Sequence, residues 1–331
     1  MGAPNVLIWH IHGSYLSYIV RARANFYLPV KPSRPEGYGG KGRTFRWPDN
    51  VYEVPAEEVK RLPLDLVIHQ TPKNYFEDQY EILSEEQRRL PRIYLEHNTP
   101  KGHPTDTRHP VDDPNTLLVH VTHFNRLMWD SGRCPTIVIE HGVALDEKVQ
   151  YTGELAKGIV VVNGLRRRNR VAGHDVWERM SRRVPLDLAG MESEDLGGLG
   201  DIPHTALLPL EARYRFFFNP IRYTSLPLAL VEAMAVGMPI VALATTEVPT
   251  VVGDGVNGFV SNNLEYLEEG MLRLLSDHAT AREMGQRSQE IARERFSIER
   301  FARDWERAFE MVLGRPGLGE DPVGRRSDAE K

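Results

Sequence analysis

Glu232 is the one charged residue in the otherwise apolar run Leu228–Val236. A helix that is apolar all round is a buried helix, and a carboxylate inside it is costly unless something pairs with it. The partner is either a structural arginine or a ligand. Ser225 lies seven residues before Glu232. That is nearly two helical turns, so the two share a face about 10 Å apart along the axis. With Ser225 as a cap and Pro227 in the first turn, the helix would begin at Thr224–Leu226, where free N–H groups and the positive dipole end favour an anion. Thr224, Ser225, Leu226 and Glu232 are therefore candidate ligand contacts. Phosphate or sugar would lie at the helix start and a hydroxyl-bearing ribose at Glu232.

A second group of candidates follows the apolar run Gly158–Asn163. Arg166, Arg167, Arg168 and Arg170 fall in a loop between a strand and a helix. Such a cluster suits a diphosphate; the plain alternative is a solvated basic loop. Histidine supplies the third group. His10, His12, His69, His97, His103, His109, His120, His123 and His141 all fall in the first half of the chain. His12, His69, His97 and His141 each follow an apolar strand, and His123 follows its strand by two residues. Ligands of open α/β sheets bind just beyond the strand C-termini, so several of these histidines are expected to rim one crevice. Their spacing matches no zinc-ligand signature.

The elements that would position these groups alternate along the chain. Strands are predicted over Asn5–Trp9, Asn25–Val30, Val51–Val54, Leu64–Ile68, Ile93–Leu95, Leu117–Val121 and Ile137–Ile139, with helices over Tyr15–Ala22, Tyr75–Arg89 and Asn125–Asp130. Lys31–Asn50, rich in Gly, Pro and Arg, reads as a long loop, and its basic and aromatic content suits contact with an acceptor. Gly142–Lys157 reads as a linker. Beyond it, strands are predicted over Gly158–Asn163, Leu186–Ala189, Ala206–Leu208, Phe216–Phe218, Ile240–Ala244 and Phe259–Val260. Helices are predicted over Val171–Arg182, Leu264–Ser276, Ala279–Glu294 and Ile298–Leu313. This pattern predicts an α/β fold of two doubly wound parallel sheets. Gly314–Lys331, polar with Gly and Pro, reads as a disordered tail.

The chain has 331 residues, enough for two domains. A formal charge of −5 gives no global nucleic-acid footprint. Cys134 is the only cysteine, so no intrachain disulfide forms and a reducing, cytoplasmic setting is expected. The apolar start Asn5–Trp9 breaks at His10, unlike a signal peptide, and no run is long enough to span a bilayer. Basic runs at Arg88–Arg92 and Arg166–Arg170 would allow peripheral contact with anionic lipid at an inner membrane face.

Several motifs carry a resemblance. Pro220, Glu232-Ala233-Met234-Ala235, Gly237, Pro239 and Val241 fall in register with the Pro-Ser…Glu-Ala-Met-Ala-x-Gly-x-Pro-Val segment of retaining glycosyltransferases of family 4 (group 1). The turn Gly253-Asp-Gly-Val-Asn-Gly-Phe259 matches a later turn of that family. Glu96-His97-Asn98 and His141-Gly142-Val143 resemble its first-half motifs. The resemblance implies a GT-B fold, two Rossmann-like domains facing across a cleft. It gives residues 1–150 as the acceptor-side domain, 151–297 as the nucleotide-sugar domain, 298–313 as a helix returning to the first domain, and 314–331 as the tail.

The same resemblance implies transfer of a hexose from a nucleotide diphosphate sugar to a glycan or lipid-linked acceptor, as in polysaccharide biosynthesis. The anomeric configuration would be retained, and no metal or other cofactor is called for. Glu232 would hold the ribose, Arg166 and Arg170 the diphosphate, Gly13 would admit the phosphates to the first-domain backbone, and His97 would face the anomeric carbon. No nucleic-acid partner is implied. Thr224 stands where the family has its first Glu, and Ala172 precedes Gly173 where a lysine is expected, so Arg168 or Arg170 must substitute. These departures keep two other readings open: a nucleotide-sugar- or glycan-binding protein without turnover, and a nucleotide-sugar epimerase.

Overall fold

The computed structural model describes residues 2–144 and 148–314. The predicted tail from 315 onward and part of the predicted linker lie outside the described residues. Two parallel sheets organise the chain. The first has seven strands: β1 (Asn5–Ile8), β2 (Asn25–Val30), β3 (Val51–Pro55), β4 (Leu66–His69), β5 (Arg92–Glu96), β6 (Thr116–His120) and β7 (Thr136–Val138). They are ordered β3-β2-β1-β4-β5-β6-β7. The second has five: β8 (Leu155–Val161), β9 (Leu186–Ala189), β10 (Tyr214–Asn219), β11 (Ile240–Ala242) and β12 (Gly258–Val260), in the order β12-β11-β10-β8-β9.

Each order reverses once, between β1 and β4 in the first sheet and between β8 and β10 in the second. Open parallel sheets form their ligand crevice outside the strand ends at such a reversal. The exits of β1 and β4 carry His10–Gly13 and His69–Gln70; those of β8 and β10 carry Asn163–Arg170 and Asn219–Leu226. The unbroken Phe216-Phe217-Phe218 run explains the depth of β10. Phe217 packs into the core shared with the first domain, while Phe216 and Phe218 face the core on the other side. A strand buried on both faces reads as a continuous apolar run.

The terminal helix, Ile298–Val312, crosses back over the first domain. Phe301, Trp305 and Phe309 bury its apolar face. Trp305 Nε1 donates to the Tyr15 hydroxyl at 3.2 Å, and Phe309 meets Phe26 edge-on with ring centres 6.3 Å apart. A Cβ on Gly142 would lie 2.1 Å from Phe301 Cβ. The glycine of the His141-Gly142-Val143 step is thus needed for this crossing. Arg295 pairs with Glu140 at 2.5 Å and donates to the Thr250 carbonyl at 2.7 Å, tying the same crossover to the second domain.

Four predicted elements differ. The expected loop Gly164–Arg170 is helical from Leu165, in the element Leu165–Ala172. Ala206–Leu208 is not a strand but part of a helix, His204–Glu211. A three-residue apolar run cannot tell the two apart, and Pro203 in extended conformation opens the helix. Tyr75–Arg89 is not one helix: a helical stretch through Asn74–Asp78 and Gln79–Ile82 ends at Leu83, and only a short turn, Gln87–Arg89, follows. Ser225 does not cap the Leu228–Val236 helix. Pro227 is its N-cap, so Thr224, Ser225 and Leu226 precede the helix. Proline bars the residue before it from the helical region, so Leu226 cannot be a helical residue. Ser225 and Glu232 therefore do not share a helical face, and the free N–H groups belong to the turn starting at Leu228.

Candidate functional site

Three of the five histidines expected at one crevice do converge. His12 follows β1, His97 follows β5 and His141 lies beyond β7. The rings of His12 and His97 are 4.1 Å apart, and Tyr15 stands edge-on to His97 at 4.7 Å and to His141 at 5.7 Å. Burial and then the Lys101 charge push His12 down to about 4. Burial also holds His97 well below the usual histidine range, with His12 and His141 adding to it, and burial lowers His141. This cluster is therefore neutral at pH 7. His69, by contrast, is buried beneath β4 and stacks on Trp9 at 5.5 Å. His123 opens the short helix His123–Met128 on the surface. Neither joins the crevice, because a strand's side chains alternate between faces and His69 is still within β4.

The first domain reaches the second through this cluster. His141 Nε2 donates to the Leu226 carbonyl at 2.9 Å. Leu226 and Ser225 are buried, and Thr246 Oγ1 donates to the Ser225 carbonyl at 3.0 Å; Thr224 is half-buried. Farther along the cleft, Glu247 Oε2 accepts from the Phe124 amide at 2.7 Å. Thr250 Oγ1 in turn donates to Glu247 Oε1 at 3.2 Å.

Glu232 is buried, and its partners are neither of those expected. Its Oε1 accepts from the Tyr18 hydroxyl at 2.9 Å and from His204 Nε2 at 2.8 Å. Tyr18 comes from the Gly13–Ile19 helix of the first domain and His204 from the start of the His204–Glu211 helix. Burial, and secondarily the Glu232 charge, raise Tyr18 well above the usual phenol range, so it stays a donor. Glu211 is fully buried nearby with neither oxygen hydrogen-bonded. Burial first, then Glu232, push its carboxyl well above the usual range. A cavity of about 320 Å³ opens beside this group, walled by Tyr18, Arg21, Phe45, Arg46, His204 and Leu208.

Phe45 also covers Gly13. A Cβ on Gly13 would lie 2.5 Å from Phe45 Cε2. The Lys31–Asn50 segment that carries Phe45 is anchored by the buried Tyr38 and by Trp47 Nε1 donating to the Lys41 carbonyl at 2.7 Å. Its position brings Phe45 within 5.3 Å of the His204 ring.

The four arginines lie in the kinked Leu165–Ala172 helix rather than in a loop, and they divide. Arg166 pairs with Asp195 at 3.0 Å, Arg167 with Glu192 at 3.0 Å and Arg170 with Asp175 at 2.7 Å, all on the surface. Arg168 is half-buried and makes no ion pair among the described residues, and burial, then Arg167, lower its pKa. Asn169 has φ 46° and ψ −127°, far from helical values, and kinks the Leu165–Ala172 segment. A non-glycine residue held there stores roughly 1–3 kcal/mol of strain. Among the described residues no group of three or more His, Cys, Asp or Glu is disposed to hold a metal ion.

The paired sheets and their crevices match known structures. Sucrose-phosphate synthase from Thermosynechococcus elongatus superposes with a TM-score of 0.67 at 15% identity, over 94% of this chain and 99% of that one. A glycosyltransferase from Rickettsia africae ESF-5 gives 0.67 at 12% identity, over 95% and 99%. Anabaena Alr3699/HepE in complex with UDP gives 0.62 at 16%, over 94% and 100%. The fold is GT-B. Within this GT-B chain, residues 170–277 match the family described as Glycosyl transferases group 1. An uncharacterized glycosyltransferase of Haemophilus influenzae is 28% identical over 149 residues, 39% of this chain; the chain spans 42% of that relative's length. Among the described residues no helix is long and apolar enough to cross a membrane.

The sequence did not single out Tyr15, Tyr18, Gln70, His204 or Glu247. A signal existed for the tyrosines: three residues apart directly after His12-Gly13, they fall on one helical face. His204 follows Pro203 and Gln70 follows a strand, positions that carry no distinctive pattern.

Proposed function

We propose that this chain is a hexosyltransferase. It takes a nucleotide diphosphate sugar as donor and a glycan, free or lipid-linked, as acceptor, and retains the anomeric configuration. The observation that carries the reading is the Gly13–Ile19 helix. Its Tyr15 touches His97, the candidate sugar contact, and its Tyr18 touches Glu232, the candidate ribose contact. One helical face of the first domain thus links the two ends at which a sugar nucleotide would be gripped. The group 1 match over 170–277 and the UDP complex of the HepE relative support the same reading.

In this mechanism the nucleoside enters the cavity beside Tyr18 and His204 and its ribose takes up Glu232. Arg166, Arg168 and Arg170, with the N–H groups of the helix starting at Leu228, neutralise the diphosphate. The bond from C1 of the sugar to the phosphate oxygen breaks as a bond from the acceptor oxygen to C1 forms on the same face. The acceptor proton passes to the departing phosphate oxygen. The neutral His97 orients the sugar and offers a lone pair to the positive charge on its ring. Charge neutralisation is assigned to arginines rather than to a metal ion, so turnover is expected to survive EDTA.

The test is to incubate the chain with UDP-, GDP-, ADP- and dTDP-sugars and follow nucleoside diphosphate release, with the anomeric configuration of the product read by NMR. Absence of binding to all four by calorimetry sinks the donor site, and an inverted product sinks retention. A second reading, binding without turnover, is favoured by Thr224 standing where the family has a carboxylate. It expects tight binding and no release.

A further inference from the structure

Gln70 follows β4 and is buried at the reversal between β1 and β4. Its Nε2 lies 2.6 Å from the Trp9 carbonyl oxygen. Its Oε1 lies 3.0 Å from His97 Nε2. These two distances fix the orientation of the amide. A flipped Gln70 would put two acceptor oxygens 2.6 Å apart with no proton between them, and carbonyl oxygens have only acceptor capacity. The amide nitrogen therefore donates to Trp9, and Oε1 is left as an acceptor. An acceptor at 3.0 Å requires that His97 Nε2 carry a proton.

A neutral imidazole has one N–H and one bare nitrogen. With Nε2 protonated, Nδ1 is bare. Among the described residues His97 Nδ1 makes no hydrogen bond, and the side chain is half-buried at the cleft. The groups around the ring are His12, Tyr15 and, behind Tyr15, His141. None of them carries a charge that would draw the proton to Nδ1.

We propose that Gln70 is a positioning residue that locks His97 in its Nε2–H form and presents the Nδ1 lone pair to whatever occupies the cleft. The lock runs from the β1 backbone through the β4 exit to the β5 exit. It therefore sets one ring by the relative register of three strands. This rests on the proposed function only in taking His97 as the residue that faces the donor sugar. There, a bare Nδ1 accepts a hydrogen bond from a sugar hydroxyl and cannot act as an acid.

The experiment is an NMR measurement on the full chain labelled with 15N-histidine, with His97 assigned by the signals lost in His97→Gln. Two-bond proton–nitrogen correlations at pH 7 distinguish a protonated Nε2 from a protonated Nδ1. The expected wild-type pattern is Nε2–H. Gln70→Met, which removes the acceptor, loses it in favour of a mixture or of Nδ1–H. A wild-type Nδ1–H pattern, or an unchanged pattern in Gln70→Met, overturns the proposal. If Gln70→Met does not fold, the wild-type spectrum still decides. The readout needs no donor, so failure of the lock and failure of the transferase reading show up separately.

Discussion

The Tyr18 hydroxyl and the Glu232 carboxylate form a 2.9 Å hydrogen bond between residues 214 positions apart, one from each domain. If Glu232 is the ribose contact, Tyr18 and a nucleoside compete for the same oxygen. Glu232→Gln then weakens nucleoside diphosphate binding by roughly tenfold or more, because hydrogen bonds to a charged group contribute about 1.5–3 kcal/mol. Tyr18→Phe removes one of the two donors to Oε1 and tightens binding severalfold. Calorimetry with UDP and GDP reads both, and wild-type affinity in both variants removes Glu232 from the site.

Arg168 is expected to matter more than its neighbours. Arg166 and Arg170 must each leave a carboxylate to meet a diphosphate, whereas Arg168 has no acidic partner among the described residues to give up. Arg168→Ala should lower nucleoside diphosphate affinity roughly 10- to 100-fold, in keeping with the loss of one or two charge-assisted bonds. Arg166→Ala should lower it less. The reverse ranking would return the role to Arg166.

How much of this could be read from the chain varies by element. All seven strands of the first sheet were legible, because short apolar runs mark buried strands, but the end of β4 was placed one residue early, so that His69 was expected at the crevice. The arginine cluster and Glu232 were legible as anomalies of charge. The start of the Leu228–Val236 helix was misplaced, because Ser225 looks like a cap, whereas Pro227 disfavours the helical region for Leu226 and is itself the N-cap. The partners of Glu232 were not legible at all. Tyr18 and His204 are ordinary residues on ordinary helices, and only the approach of the two domains brings them onto one oxygen. Arg168 could not be told from its three neighbours, since which guanidinium finds a carboxylate depends on where Asp195, Glu192 and Asp175 fold.

Acid should destabilise the protein from below pH 6.5. His69 and His120 are buried, and burial pushes both down to about 3 from an ordinary 6.5. Between those values the unfolded chain binds protons that the folded chain refuses, so stability falls as pH drops. Each such group contributes a slope of about 1.4 kcal/mol per pH unit. Urea unfolding at pH 7.5, 6 and 5 checks this, and a His120→Gln variant should show a shallower loss. A flat profile across that range contradicts the burial of both rings as neutral groups.

Glu211 works in the opposite direction. Its carboxyl is raised, so its contribution is intact below about pH 4.5, its ordinary value, and is lost as pH rises toward the folded value. Glu211→Gln removes that loss. The variant should match the wild type near pH 4 and exceed it at pH 7.5. Thermal melts at the two pH values decide, and equal gains at both would mean that the effect is not protonation.

Gly142→Ala should displace the terminal helix. The new methyl would lie 2.1 Å from Phe301 Cβ, and neither backbone can yield without moving the helix. Overpacking of this kind costs typically 1–3 kcal/mol. A lower melting temperature together with faster proteolysis of residues 298–314 is the expected pair of results; wild-type values in both would show that the crossing tolerates a side chain.

The return of Ile298–Val312 to the first domain has a consequence for how the protein is made. The Gly13–Ile19 helix is synthesised before the ring that backs Tyr15, which is Trp305. Until Trp305 has been made, the first domain carries an uncovered apolar face beside His97 and His141. Domains fold in the order of synthesis, so this one would wait, open and sticky, through the production of the second domain. The candidate site becomes complete only when the Ile298–Val312 helix closes over it. A ribosome stalled before Trp305 should therefore hold a nascent chain that binds hydrophobic dyes and chaperones, and that loses both when translation resumes.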